Sequence, residues 1–150
     1  MLNNQKQVEQ LDTLIATTLD SVEGYRESAK QIDDPQLADF FNQRATERAE
    51  IVGKFQSQQK TLGGEVRDEG SILGSAHRQF LNLKENISNS DRSAIINEIE
   101  TGENYLIDKF ETVLKDDDLT GDTRSLITDA YSQIKTGYEQ VEMIKDVEVA

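Results

Sequence analysis

The stretch that decides the fold reads Ile95-Ile96-Asn97-Glu98-Ile99-Glu100-Thr101-Gly102-Glu103-Asn104-Tyr105-Leu106-Ile107. Its apolar residues recur at intervals of three and four, which is the spacing of one face of an amphipathic helix. Glu103 falls in the middle of this apolar face, and Glu100 falls at its edge. A carboxylate that is buried alone is very costly, so Glu103 needs an arginine, a metal ion or a proton beside it.

Three other long segments have apolar residues at helical spacing, and one shorter segment does too. The long segments are 4–32, 35–61 and 123–146, the short one is 71–88, and the Glu103 helix is expected to end near Lys115. Asp33 or Asp34 before Pro35 is typical of a helix start, because either aspartate can accept bonds from free N–H groups and proline is tolerated in the first turn. Gly63-Gly64 is typical of a helix end.

The lengths of the connections predict how these helices pair. Short turns at 33–34 and 116–122 join the helices in two pairs, and the long stretch 62–91 joins one pair to the other. A structureless loop of that length is unusual in a compact domain, which favours the short helix within it. One long crossover is the connectivity of ferritin-like bundles. We therefore predict a single all-α domain over residues 1–150, a ferritin-like four-helix bundle whose crossover contains a short extra helix.

The charge balance excludes several classes of partner. Acidic residues outnumber basic ones by 29 to 16, and cysteine is absent. Such a surface does not suit nucleic acid or an anionic membrane, both of which require basic residues. The lack of cysteine excludes disulfides, thiolate nucleophiles and cysteine-ligated metals. No apolar run approaches the length of a membrane span. We expect a cytoplasmic protein, and a homodimer formed through a helix face is compatible with this surface.

Carboxylates distributed over four helices suggest a metal centre as one interpretation. A di-iron or di-manganese bundle takes glutamates from four helices, two of them in Glu-x-x-His pairs. Here the available ligands are Glu23, Glu47, Glu100, Glu103 and Glu142. Histidine is absent from all of the corresponding pairs, and helical geometry places each glutamate except Glu103 at the edge of its apolar face. A metal centre is therefore the alternative interpretation.

Two arginines offer Glu103 a different partner. Arg44 and Arg48 lie one turn apart, close to the centre of the apolar face of the second helix. Arginines and a glutamate on facing apolar surfaces are typical of a buried, bidentate ion pair. Tyr138 on the last helix and Thr18 on the first could add hydrogen bonds. The favoured prediction is a buried polar cluster of Glu103, Arg44, Arg48 and Tyr138, with no catalytic residue and no cofactor.

Each long helix also has one glycine well inside it. These glycines are Gly24, Gly53, Gly102 and Gly137. Glycine in a helix interior costs roughly 1 kcal/mol relative to alanine. The four positions therefore indicate either close helix approach around a common level or scattered surface glycines, and both interpretations stay open.

Short motifs distributed in order over nearly the whole chain resemble those of a known family. The most specific are Gly70-Ser71-x-x-Gly74-x-x-His77-Arg78 and Glu100-x-Gly102-Glu103. The others are Leu14-Ile15, Asp20-x-x-Glu23-Gly24-Tyr25, Arg44 with Arg48, and Leu62-Gly63-Gly64. On these residues the chain resembles a bacterial family of ferritin-like four-helix-bundle proteins of unknown function and about this length.

The chain departs from that family's pattern at four positions. Ser21, Thr101 and Phe80 stand where glycine, arginine and tryptophan are common, and Tyr138 stands where a histidine often occurs in the last helix. Loss of that histidine removes the best nitrogen ligand for a metal. The resemblance implies the ferritin-like fold and no activity, since a fold alone does not determine function. We therefore expect a non-enzymatic protein with a role in binding, assembly or stress.

Overall fold

The computed structural model describes residues 2–68 and 92–149, which form four long α-helices. They are α1 (Leu2–Gln31), α2 (Pro35–Thr61), α3 (Arg92–Leu114) and α4 (Gly121–Val149). The predicted all-α four-helix bundle is confirmed, with helix ends within a few residues of those expected. The predicted crossover helix at 71–88, and His77 within it, lie outside the described residues.

The ends of α2 form where the sequence places capping residues. The Asp34 carboxylate accepts hydrogen bonds from the backbone N–H groups of Gln36 and Leu37, at 2.9 and 3.3 Å. At the other end, Gly63 adopts a φ of 85°, the left-handed conformation that ends many helices. These local contacts explain why the boundaries of α2 could be predicted from sequence.

The order of the helices in space follows from a few contacts between their ends. Helices α1 and α2 pack as one antiparallel pair and α3 and α4 as another, with α1 against α3 and α2 against α4. The ion pair between Arg92 and Asp33, at 2.8 Å, places the start of α3 beside the start of α2. Lys6 and Asp118, at 2.6 Å, place the start of α1 beside the end of α3. Helices α2 and α3 therefore run parallel on opposite corners, and the connection between them joins opposite ends of the bundle.

The core consists of two apolar layers, one towards each end of the bundle. One layer includes Leu14, Phe55, Phe110 and Ile134. The other includes Val22, Phe41, Ile96 and Val141. The two layers meet at Thr18 on α1, Arg48 on α2, Glu103 on α3 and Gly137 on α4. In the described part of the chain, no helix is both long and apolar enough to cross a membrane.

Candidate functional site

An ion pair between Arg48 and Glu103 occupies the centre of the bundle. Nη1 and Nη2 of Arg48 each donate to one carboxylate oxygen of Glu103, and both distances are 2.7 Å. The two side chains are only 1% and 2% exposed. Each residue lies midway along its helix, so the pair spans the interior between diagonal helices at the boundary of the two apolar layers.

Helices α1 and α4 complete the surroundings of this pair. Nη1 of Arg48 also donates to the hydroxyl of Ser21, at 2.9 Å, and the guanidinium lies 5.5 Å from the ring centroid of Tyr25. On α4, a Cβ added to Gly137 would lie 2.9 Å from Nη2 of Arg48. The absence of a side chain at Gly137 thus leaves the space in which the Arg48 guanidinium lies against α4. We refer to Ser21, Tyr25, Arg48 and Glu103 as the central cluster.

Electrostatics hold Arg48 in its charged form. Burial alone would lower the pKa of Arg48, but the charge of Glu103 and the two hydrogen bonds outweigh this effect and raise the pKa. Burial also raises the pKa of the Tyr25 hydroxyl well above its usual value of 10.0, and the Glu103 carboxylate adds to that increase. The surroundings therefore favour the neutral form of Tyr25 and the cationic form of Arg48.

The structure places Arg44 apart from Glu103. Nη1 of Arg44 donates to Glu47 and Nη2 donates to Gln140, both at 2.6 Å. Its aliphatic part lies against α4, where a Cβ added to Gly137 would be 3.2 Å from the Arg44 Cδ. Of the two arginines on the apolar face of α2, one therefore reaches across the bundle and the other turns towards α4.

A second group of polar residues joins α3 to α4, one turn away from the central cluster. The carboxyl groups of Glu100 and Glu142 face each other, and their interaction lowers the pKa of Glu100 and raises the pKa of Glu142. Lys145 donates to Glu100 at 2.8 Å. Tyr138 belongs to this group, because its pKa is raised by burial and then by the charges of Glu142 and Glu100.

The five glutamates considered as metal ligands are therefore divided among different surroundings. Glu103 is paired with Arg48, Glu47 is half exposed and paired with Arg44, and Glu100 faces Glu142. Glu23 is partly buried on α1. Across residues 2–68 and 92–149, no three acidic or histidine side chains converge closely enough to hold a metal ion.

Residues 6–116 match the family described as Domain of unknown function (DUF2383). The chain belongs to this family. The DUF2383 match includes α2, α3 and nearly all of α1, and hence every residue of the central cluster, whereas α4 follows it in the chain. No curated protein sequence matches the chain.

Ser21 and Tyr25 of this DUF2383 chain are neighbours of the pair that the sequence analysis above does not predict. The available signal was on α1, where Tyr25 lies on the apolar face one turn after Ser21. A buried tyrosine usually finds a polar neighbour. Among the four interior glycines, only Gly137 meets side chains at its missing Cβ, whereas Gly24, Gly53 and Gly102 have nothing within 4 Å.

Proposed function

We propose that the protein is a ferritin-like bundle in which an arginine–glutamate pair takes the place of a metal centre, and that it works by binding rather than by catalysis. The observation that carries this proposal is the position of Arg48. Its guanidinium lies at the middle of the bundle, with bidentate contact to Glu103. In ferritin-like metalloproteins this region holds the metal pair and its inward-facing glutamates.

The connectivity supports the ferritin-like assignment. Two antiparallel helix pairs joined by one long crossover distinguish these bundles from simple up-down-up-down bundles. The contacts Arg92–Asp33 and Lys6–Asp118 support this assignment, because they leave α2 and α3 parallel, as a single long crossover requires.

The donor set supports the absence of a metal centre. A divalent cation beside Glu103 would need the volume that Arg48 fills, and two like charges at that distance repel each other strongly. Iron centres of this fold also take histidine nitrogens, and the chain has a single histidine. No residue of the central cluster other than Glu103 offers a carboxylate.

One observation favours a second candidate, a carboxylate-rich protein that binds or oxidises iron or manganese. Glu100 and Glu142 face each other across α3 and α4 with a raised pKa on Glu142, and two facing carboxyl groups can exchange their shared proton for a cation. Lys145 already supplies a positive charge to Glu100, which makes that exchange less favourable.

Metal binding distinguishes the two candidates. The protein is purified without chelator, its metal content is determined, and ferrous iron and then manganese are titrated aerobically into the wild type, Glu103→Gln and Glu142→Gln. The proposal predicts no stoichiometric metal and no catalysed oxidation of ferrous iron in any of the three. Tight stoichiometric binding that disappears in Glu103→Gln would overturn it, and binding that disappears only in Glu142→Gln would favour the second candidate.

A further inference from the structure

A polar groove runs between α2 and α4, on the side of the bundle where two neighbouring helices pack least closely. Its volume is about 400 Å³, within the range of small-molecule sites in proteins. The wall formed by α4 presents Gln133, Thr136 and Gln140, and the buried side chain of Ile51 contributes to the lining. The groove therefore combines neutral hydrogen-bonding groups with one apolar surface.

The wall formed by α2 has an ordered series of charges. Arg44, Glu47, Glu50 and Lys54 follow one another along the groove, so a cation lies at each end and two anions lie between them. Arg44 binds Glu47. Glu50 and Lys54 form no ion pair with each other or with another residue in the described ranges. Within the described part of the chain, the groove thus offers an anion without an ion-pair partner, nearly two turns beyond a paired arginine.

Arg44 itself is incompletely bonded. Its side chain is only 9% exposed, yet it makes only two hydrogen bonds among the residues that the structure describes, one to the half-exposed Glu47 and one to the neutral amide of Gln140. Its Nε is buried without a hydrogen-bond partner. A guanidinium has five N–H donors and forms its strongest contacts with carboxylates. A ligand carboxylate in place of the neutral amide of Gln140 would therefore give Nη2 of Arg44 a stronger partner.

We infer that the α2–α4 groove binds a small zwitterion of the amino-acid class, with its carboxylate at Arg44 and its ammonium group at Glu50. This inference rests on the binding role proposed above and names the ligand class. Arg44 and Glu50 both line the groove and lie six residues apart, which is a rise of roughly 9 Å along the helix axis and a rotation of about 120° around it. An ω-amino acid with a short aliphatic chain covers most of the axial rise, and its methylene groups would contact Ile51. Lys54, beyond Glu50, disfavours a longer cation.

The test is isothermal titration calorimetry of the full chain with three probes that share a five-carbon chain: 5-aminopentanoate, pentanoate and pentylamine. The inference predicts saturable 1:1 binding of 5-aminopentanoate and at least tenfold weaker binding of the two probes that have a single charge. Equal affinity for all three probes, or no saturation by 5-aminopentanoate at millimolar concentrations, would overturn the inference.

Variants locate the site. Glu50→Gln is expected to weaken 5-aminopentanoate binding about tenfold, because the ammonium group loses its partner, and Arg44→Gln should remove binding. Glu50 is exposed, so its variant keeps the fold even if Arg44→Gln does not. Glu139→Gln, an exposed acid on α4 outside the groove, is the matched control and should bind as the wild type does. Unchanged binding in Glu50→Gln, or equal loss in Glu139→Gln, contradicts the assignment.

The result of the calorimetry does not depend on the result of the metal titration. Arg44 and Glu50 do not belong to the central cluster, so metal binding at Glu103 would overturn the proposed function without changing the calorimetry of this groove. Conversely, if no zwitterion binds, the inferred ligand class is wrong, and the proposal of a metal-free centre is unaffected.

Discussion

Replacing Glu103 by glutamine should destabilise the protein severely. Glutamine has nearly the same volume as glutamate, so Glu103→Gln removes the negative charge and leaves no cavity. Arg48 remains cationic in the variant, since its guanidinium does not lose its proton at accessible pH. The variant therefore isolates the cost of a buried arginine that has lost its counter-charge.

The magnitude follows from the burial of the pair. With exposures of 1% and 2% and two contacts of 2.7 Å, this is a buried pair, for which removal of one partner costs roughly 3–5 kcal/mol. For a chain of this size, about 2–4 °C of melting temperature correspond to each kcal/mol, so the expected decrease is about 6–20 °C. Since a domain is stable by only about 5–15 kcal/mol in total, the variant loses a large part of its stability.

Urea unfolding followed by circular dichroism at pH 7 measures this loss, with the m-value as a check that the unfolding transition is unchanged. The series includes Glu103→Leu, Arg48→Met and their double variant. Because the double variant buries neither charge, it should recover most of the stability that the single variants lose. Lys6→Gln is the control, since it removes the exposed pair with Asp118 and should leave the midpoint unchanged within error.

Two results would refute this reasoning. One is a Glu103→Gln unfolding free energy within error of the wild type, which would mean that Arg48 reaches water or another partner. The other is a double variant as unstable as the sum of the single ones, which would mean that the two side chains act through packing and not through their charges.

Three further predictions concern positions around the centre. Gly137→Ala should lower the urea midpoint, because the added Cβ would lie 2.9 Å from Nη2 of Arg48. Gly102→Ala should instead raise the free energy of unfolding by up to about 1 kcal/mol, because a Cβ there has nothing within 4 Å. A change of the same sign in both variants would contradict the packing described at Gly137. The hydrogen bond to Glu111 raises the pKa of Tyr131 to about 12, so the stability that this tyrosine contributes is complete below pH 10 and is lost as the pH rises towards 12. Absorbance titration at alkaline pH should show one tyrosine fewer near pH 12 in Tyr131→Phe, and an unchanged profile would show that another residue titrates there. The pKa of Glu142 is raised, so the folded protein binds that proton more tightly than the unfolded chain does, and stability falls as the pH rises through this pKa. Glu142→Gln should therefore raise the urea midpoint at pH 7 more than at pH 4, with Glu139→Gln as the control; equal shifts at both pH values would exclude a shared proton.

The helices could be predicted because their signals are local. Apolar spacing and the caps at Asp34 and Gly63 depend on neighbouring residues only, and the structure places the boundaries of α2 at the expected residues. The pairing of helices also followed from sequence, because two short turns and one long connection permit few arrangements. Helix boundaries and helix pairing can be predicted without knowing how far one helix is shifted along its neighbour or rotated about its own axis.

The composition of the central cluster does depend on the relative positions of the helices, which the sequence does not give. Arg44 and Arg48 lie on the same face of α2, and a helical projection cannot tell which one reaches across to Glu103. The answer depends on Gly137, which lets α4 approach closely enough for Arg44 to turn towards Gln140. For the same reason the tyrosine beside the pair is Tyr25 on α1, while Tyr138 lies one turn away beside Glu100 and Glu142.

In the proposed function, Arg48 takes the place of a metal at the middle of the bundle. The most direct measurement is a crystal structure of the protein grown with excess manganese, with an anomalous difference map calculated at the centre of the bundle. The account predicts no peak beside Glu103 and an Arg48 guanidinium in bidentate contact with its carboxylate. A peak coordinated by Glu103, with Arg48 displaced towards solvent, would contradict it.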